Sequence, residues 1–379
     1  MKIVVAMDSF KGSVSSKVAN EAVVQGIESV MSEARVKTYE MADGGEGTTD
    51  ILIENLHGQK IEKVVTGPIG QEVTGLLGLV PSKNLAIIEV ASTSGLTLLS
   101  QDELNPDEAT SYGLGELIDY AHALGARNFI IGLGGSATND GGVGMLQAMG
   151  YRFLDERGKD IKRGGKYLSQ IHKIIKTHEA AKFDICNFRV ACDVNNTLYG
   201  EQGATYIFGP QKGVKENNLA SLDQGLKNFA DKTLEEMNID ISEIPGGGAA
   251  GGLGAAFHSY LKGKLETGVS LISDMLNIED EIKDADLVIS GEGKLDAQTK
   301  MGKVPVGIAK IAKDKQVPFI GLAGSLSADA YDLNAIGMDA IFSIQSQPMT
   351  LEEAMNSEVT KKNITRTTSQ IMRLLKIGK

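Results

Sequence analysis

The sequence predicts an α/β protein: a Rossmann-like parallel-sheet domain formed by both chain ends, with a second α/β domain inserted between them. Three observations predict it. Short apolar runs alternate with segments of helical periodicity at both ends of the chain. A middle of different character separates those ends. Polar, glycine-bearing loops directly follow several of the strand-like runs, where open α/β sheets bind their ligands.

Each element follows from its pattern. "KIVVAM" (2–7) is a buried-type strand, and Val18, Ala22, Val23, Ile27 and Val30 recur after it at helical spacing. A strand at Val36–Met41 runs into "ADGGEGTTD", and a short helix follows near Ile51–Leu56. In the middle, "EVTGLLGLV" (72–80) and "LAIIEVA" (85–91) read as a hairpin across "PSKN". Helices are predicted at 108–124, 217–236 and 249–262, and strands at 128–133, 188–192 and 204–208. The opening grammar then returns. "ADLVIS" (285–290), "VPFIGLAG" (317–324) and "AIFSI" (340–344) are strands, Val306–Ile311 is helical, and an amphipathic helix spans Ile364–Leu375. Boundaries near 66 and 284 give residues 1–66 with 285–379 as the Rossmann-like domain and 67–284 as the insertion.

Composition narrows the function. The chain has 379 residues, 42% hydrophobic and 23% charged, which is ample for a large core. Its formal charge of −11 and lack of a basic run exclude nucleic acid as a partner. An anionic small molecule is compatible, since placed lysines and backbone N–H groups can hold one. No stretch reaches the length of a membrane span, and Ile3–Met7 is too short for a signal peptide, so the expected location is cytoplasmic. Cys186 and Cys192, the only cysteines, read as core residues. The five histidines are scattered, with no pair spaced for zinc. The stripe Ile364, Ile371 and Leu375 is packing or a homodimer contact.

Six loops carry the chemical signal: "DSFKG" (8–12), "ADGGEG" (42–47), "GGSATNDGG" (134–142), "CDVNN" (192–196), "FGPQKG" (208–213) and "GEGKLD" (291–296). Glycine lets backbone N–H groups approach an anion, and lysine adds charge. Carboxylates among them would repel that anion unless a divalent cation lay between, so the combination points to Mg²⁺ with phosphate. Taken singly, each loop is equally a set of turn residues. "GLGGSA" (132–137, with Asp155 downstream) and "GGGAAG" (246–251) match the dinucleotide pattern G-x-G-x-x-G/A, which would suit an NAD-dependent dehydrogenase of a small hydroxy acid. A G-x-x-x-x-G-K-[ST] loop is absent, since Lys166 and Lys303 follow glycine but precede Tyr167 and Val304. A non-catalytic organic-acid-binding protein would also use the glycine loops.

Taken together, "DSFKGS", "ADGGEGT", "GGSATNDGG", "FGPQKG", "GGGAAGGLGA" and "GEGKLDAQT..GKVP" resemble the bacterial glycerate kinase family, in the family's order and over essentially the whole chain. The resemblance implies ATP-dependent phosphorylation of D-glycerate, at the 2-position, with Mg²⁺. It also implies the fold drawn above from pattern, with the active site in the cleft between the two domains. One departure is Thr197, where the family usually has proline in Asp-Val-x-Asn-Pro-Leu, which leaves that loop less rigid.

Roles follow from the needs of phosphoryl transfer, which are position and charge neutralisation. Lys11, in a turn with Asp8 and Ser9, is the first candidate for a phosphate contact; the alternative is an exposed turn lysine. Asp43 and Glu46 are candidates for Mg²⁺, or for a helix N-terminal pair. Asp193, closing a strand, is the candidate base for the glycerate hydroxyl, or an Asx-turn aspartate. Gly135, Ser136, Thr138 and Asn139 would face a carboxylate or phosphate at the start of a helix near Val143–Met149. Lys212, Lys294 and Asp296 complete the set.

Overall fold

The computed structural model describes residues 1–42, 47–296, 299 and 302–377. The chain divides into two compact units, Met1–Asp43 with Val269–Lys379, and Gly44–Gly268. The breaks therefore fall at 43/44 and 268/269, against 66 and 284 from pattern. For the first break the reason is a strand that the pattern missed. Gln59–Thr66 pairs antiparallel with Glu72–Val80 along its whole length, Gln59↔Leu79 to Thr66↔Glu72, so it belongs to the inserted unit. Its alternation is weak because it is an edge strand with mostly exposed residues.

The split unit is built on five parallel strands in the order Ala340–Ser343, Phe319–Leu326, Leu287–Leu295, Lys2–Met7, Arg35–Thr38. Successive side chains of Lys2–Met7 serve opposite faces, which is why the run is apolar throughout. Ile3, Val5 and Met7 join Leu287, Ile289 and Leu322 in one core with Ala19, Val23 and Ile27 of the helix Ser16–Glu28. Ile364, Ile371 and Met372 of the helix Ser357–Ile377 complete that core, so the apolar stripe of the last helix is internal packing. Val4 and Ala6 point the other way, and the helix Val304–Asp314 packs against the same strands.

Two polar residues one helical turn apart fix where the first strand ends. Ser16 Oγ donates to the Met7 carbonyl (2.6 Å) and accepts from the Met41 N–H (2.9 Å). Asn20 accepts from the Met7 N–H (3.0 Å) and donates to the Tyr39 carbonyl (2.8 Å). Both side chains are buried, and together they tie the ends of two neighbouring strands to the helix.

The inserted unit holds a six-stranded mixed sheet in the order Lys264–Glu266, Asn187–Ala191, Asn128–Gly132, Leu85–Glu89, Glu72–Val80, Gln59–Thr66. The first four run parallel, and the hairpin read from 72–91 is present in the register Leu77↔Ile88. A two-stranded ribbon, Tyr151–Leu154 with Lys173–Lys176, lies apart from it. One correction concerns 204–208, which is the helix Ala204–Phe208. Its apolar, β-rich residues suggest a strand, but Ala204, Thr205 and Gly209 are buried while Tyr206 and Ile207 are exposed, a helical pattern of burial.

Candidate active site

In the split unit, strand order reverses between Lys2–Met7 and Leu287–Leu295, the place where open parallel sheets form a crevice beyond their carboxyl ends. A pocket of about 870 Å³ opens there, lined by Asp8, Ser9, Lys11, Glu292, Lys294 and Lys303 among others. The two strands carry their loops out in step, since Met7 pairs with Gly291 and the Asp8 N–H donates to the Gly291 carbonyl at 2.8 Å.

The turn after Asp8 sorts its side chains by environment. Phe10 is buried at 3% exposure and its backbone pairs with Val14, which leaves Lys11 exposed at the tip. Asp8, at 5% exposure, accepts from the Ser9 N–H at 2.6 Å. Glu292, at 6%, accepts from Thr299 Oγ1 (2.8 Å) and pairs with Lys303 Nζ (3.4 Å). Burial pushes the Glu292 carboxyl above its ordinary pKa, and Lys303 opposes that rise. Lys294 Nζ pairs with Asp296 Oδ2 at 3.1 Å.

In the inserted unit, the loop after Asn128–Gly132 is held from four directions. Its backbone bonds to residues 94–96: the Ala137 N–H donates to the Ser94 carbonyl and the Leu96 N–H to the Gly135 carbonyl, both at 2.8 Å. Gly135 has φ of +71°, which side-chain-bearing residues seldom adopt. Asp140, at 1% exposure, accepts from the Ser111 N–H (2.8 Å), Ser111 Oγ (2.9 Å) and the Gly142 and Gly144 N–H groups (3.1 and 3.3 Å). Burial raises its pKa and these donors pull it back, so its carboxylate is the anchor of the loop. Lys212, at 3% exposure, donates from Nζ to Ser136 Oγ (2.9 Å) and the Thr138 carbonyl (2.7 Å). Desolvation lowers its pKa to about 7. Asn139 Nδ2 donates to Thr205 Oγ1 at 2.9 Å.

The fourth hold is the second glycine run. The Gly141 N–H donates to the Gly251 carbonyl at 2.9 Å, and a Cβ on Gly251 would overlap the Thr138 carbonyl oxygen. Positive φ at Ala250, Gly251 and Gly252 breaks the helix predicted over 249–262. "GGGAAG" is therefore a close-packing device against residues 138–141, which continue the loop that "GLGGSA" opens. The dehydrogenase reading loses its second glycine match to packing.

The predicted residues thus fall into two sets. Asp8, Ser9, Lys11 and Lys294 meet in the first pocket, with Asp296 beside them. Gly135, Ser136, Thr138, Asn139 and Lys212 meet in the second cluster. Asp193 lies just beyond Ala191, the register partner of Gly132, and is exposed; its Oδ1 accepts from the Gly268 N–H at 3.1 Å. Asp43 and Glu46 lie outside the described residues. Sequence reading missed Glu292, Lys303 and Asp140 as participants. Glu292 and Asp140 stand inside the glycine-bearing loops, and Lys303 follows glycine without the Ser or Thr of a phosphate loop. Among the described residues no three His, Cys, Asp or Glu side chains gather as a metal cage, and no helix is long and apolar enough to cross a membrane.

A family model described as the Glycerate kinase family matches residues 3–376. The chain is 44% identical to a glycerate kinase of Bacillus subtilis (strain 168), covering 100% of this chain and 99% of that protein. It is 41% identical to a glycerate 2-kinase of Escherichia coli (strain K12), again covering 100% and 99%. The crystal structure described as "putative glycerate kinase 2" from Salmonella typhimurium LT2 matches with a TM-score of 0.88 at 41% identity, covering 100% of this chain and 99% of that one.

Proposed function

The chain belongs to the glycerate kinase family, and from that premise we propose that it transfers the terminal phosphoryl group of ATP to D-glycerate, at the 2-hydroxyl. The observation that carries the chemistry is the pocket at the strand-order reversal, where Lys11, Lys294 and Lys303 share one rim with two buried carboxylates. Phosphoryl transfer asks for charge neutralisation and positioning, and exposed lysines beside a glycine-bearing turn supply both. The relative named glycerate 2-kinase supports the 2-position.

Mg²⁺ fits this donor set. It commonly takes one or two carboxylates and completes its shell with water and substrate phosphates, so a protein cage is unnecessary. Asp8 and Glu292, on adjacent strand ends, would hold it, and when bound it would neutralise the polyphosphate. In the inserted unit, Asp193 takes the proton of the glycerate hydroxyl, and the 134–142 loop offers the exposed Gly135 backbone and the Ser136 hydroxyl to the carboxylate. Lys212 supports that loop from beneath.

Adding D-glycerate with MgATP should release ADP in a coupled assay, and phosphorus NMR should show 2-phosphoglycerate. No ADP would end the kinase reading. A 3-phosphoglycerate resonance would keep the kinase and overturn the position.

A further inference from the structure

We propose that the pocket of the split unit is the nucleotide seat, with the polyphosphate at the Lys11 turn and the base against the apolar face of the helix Leu351–Met355. The inference rests on the kinase reading and adds which substrate this pocket takes.

That helix carries Leu351, Ala354 and Met355 at i, i+3 and i+4, one continuous stripe, and all three line the pocket. Leu351 is 76% exposed and Met355 38%, so the stripe is open to the cavity along much of its surface. The helix is nonetheless held in place. Thr350 and Glu353 form a capping box, and Thr360 Oγ1 donates to the Ala354 carbonyl at 2.9 Å. An exposed apolar stripe on an anchored element marks a surface that a ligand covers.

The stripe adjoins the charged turn. A Cβ on Gly12 would come within 2.5 Å of Met355 Cε, and Ser13 Oγ shares a 2.6 Å hydrogen bond with Thr360 Oγ1. One cavity of about 870 Å³ therefore offers cations at one side and an apolar wall at the other, within the size range of small-molecule sites. Glycerate, a three-carbon hydroxy acid with a polar group on every carbon, would leave the wall bare. A nucleoside di- or triphosphate matches both sides, because its base has apolar faces and its tail is polyanionic. Thioether sulfur against an aromatic ring adds a further favourable contact.

The test measures binding of ADP with Mg²⁺ to the full chain by calorimetry, beside steady-state kinetics. Leu351→Ser should weaken ADP by about tenfold to a hundredfold, the scale of one buried apolar side chain, and raise KM for ATP while KM for glycerate holds. Met355→Ser is the second variant and should act in the same direction. Inorganic tripolyphosphate, which lacks a base, should bind wild type and Leu351→Ser alike, whereas Lys11→Ala should weaken both probes. Unchanged ADP affinity in both apolar variants, or a rise in KM for glycerate instead, would overturn the proposal. So would a wild-type chain that does not bind ADP. Wild-type ADP binding that the apolar variants weaken, without glycerate-dependent turnover, would support the seat and sink the kinase reading alone.

Discussion

The pocket of the split unit and the loop cluster of the inserted unit share one vocabulary of glycine, lysine and short polar residues, yet they use it oppositely. In the first, Lys11 is exposed and Lys294 has a side chain 62% exposed, at the rim of an open cavity. In the second, Lys212 is 3% exposed and spends its donors on Ser136 and Thr138. An exposed lysine stands where a ligand can reach it; a buried one becomes part of the backbone scaffold. A glycine–lysine loop in sequence therefore does not say whether its lysine binds or braces, and burial decides it.

Removing divalent metal is the largest expected effect. If the lysine rim works together with Mg²⁺, excess EDTA should abolish turnover and added Mg²⁺ should restore it. Full activity in metal-free buffer would leave the lysines alone to neutralise the triphosphate.

Asp193 sharpens the contrast within the inserted unit, because it is exposed where Lys212 is buried. Asp193→Asn keeps the acceptor for the Gly268 N–H but removes the base. kcat should fall by about 10²–10⁴ with KM for glycerate little changed. Kinetics within about twofold of wild type would make Asp193 a turn residue only.

Lys11→Ala should lower kcat/KM by about 10²–10³. Its melting temperature should be nearly unchanged, since substitutions at exposed sites rarely cost more than about 0.5 kcal/mol. Wild-type kinetics would shift the phosphate contact to Lys294 or Lys303.

The smallest effect separates brace from binder. Burial lowers the Lys212 pKa from 10.5 to about 7. Between those values the unfolded chain binds the extra proton, so this residue makes stability rise with pH above about 7. The slope it contributes is at most about 1.4 kcal/mol per pH unit. Urea midpoints from pH 7 to 9 should climb less in Lys212→Met than in wild type. Parallel curves would mean that Lys212 stays charged in the fold.

What sequence made legible follows from range. Lys2–Met7 was readable because both faces of a central parallel strand are buried, and its apolar run says so by itself. The turn at Asp8–Gly12 was readable because its composition is local. Asp140 was not recognised as an anchor, since its chief donor, Ser111, lies 29 residues away and nothing in "TND" names it. The helix Ala204–Phe208 was misread because five residues are too few to show a helical period. The glycines of 246–252 imitated a dinucleotide motif because close approach of backbone to backbone demands the same residue as close approach to a pyrophosphate.

The central place of Lys2–Met7 has a consequence for biosynthesis. This strand is made about 280 residues ahead of one of its two strand partners, Leu287–Leu295. At ~5–20 residues per second, roughly 15–60 s pass before that partner emerges. Through that interval the run Ile3–Met7, wholly apolar, has no completed sheet to enter, while Gly44–Gly268 is continuous and gains its own contacts first. Ile3–Met7 thus waits without its full sheet while the inserted unit forms, and chaperone capture during synthesis should include this run.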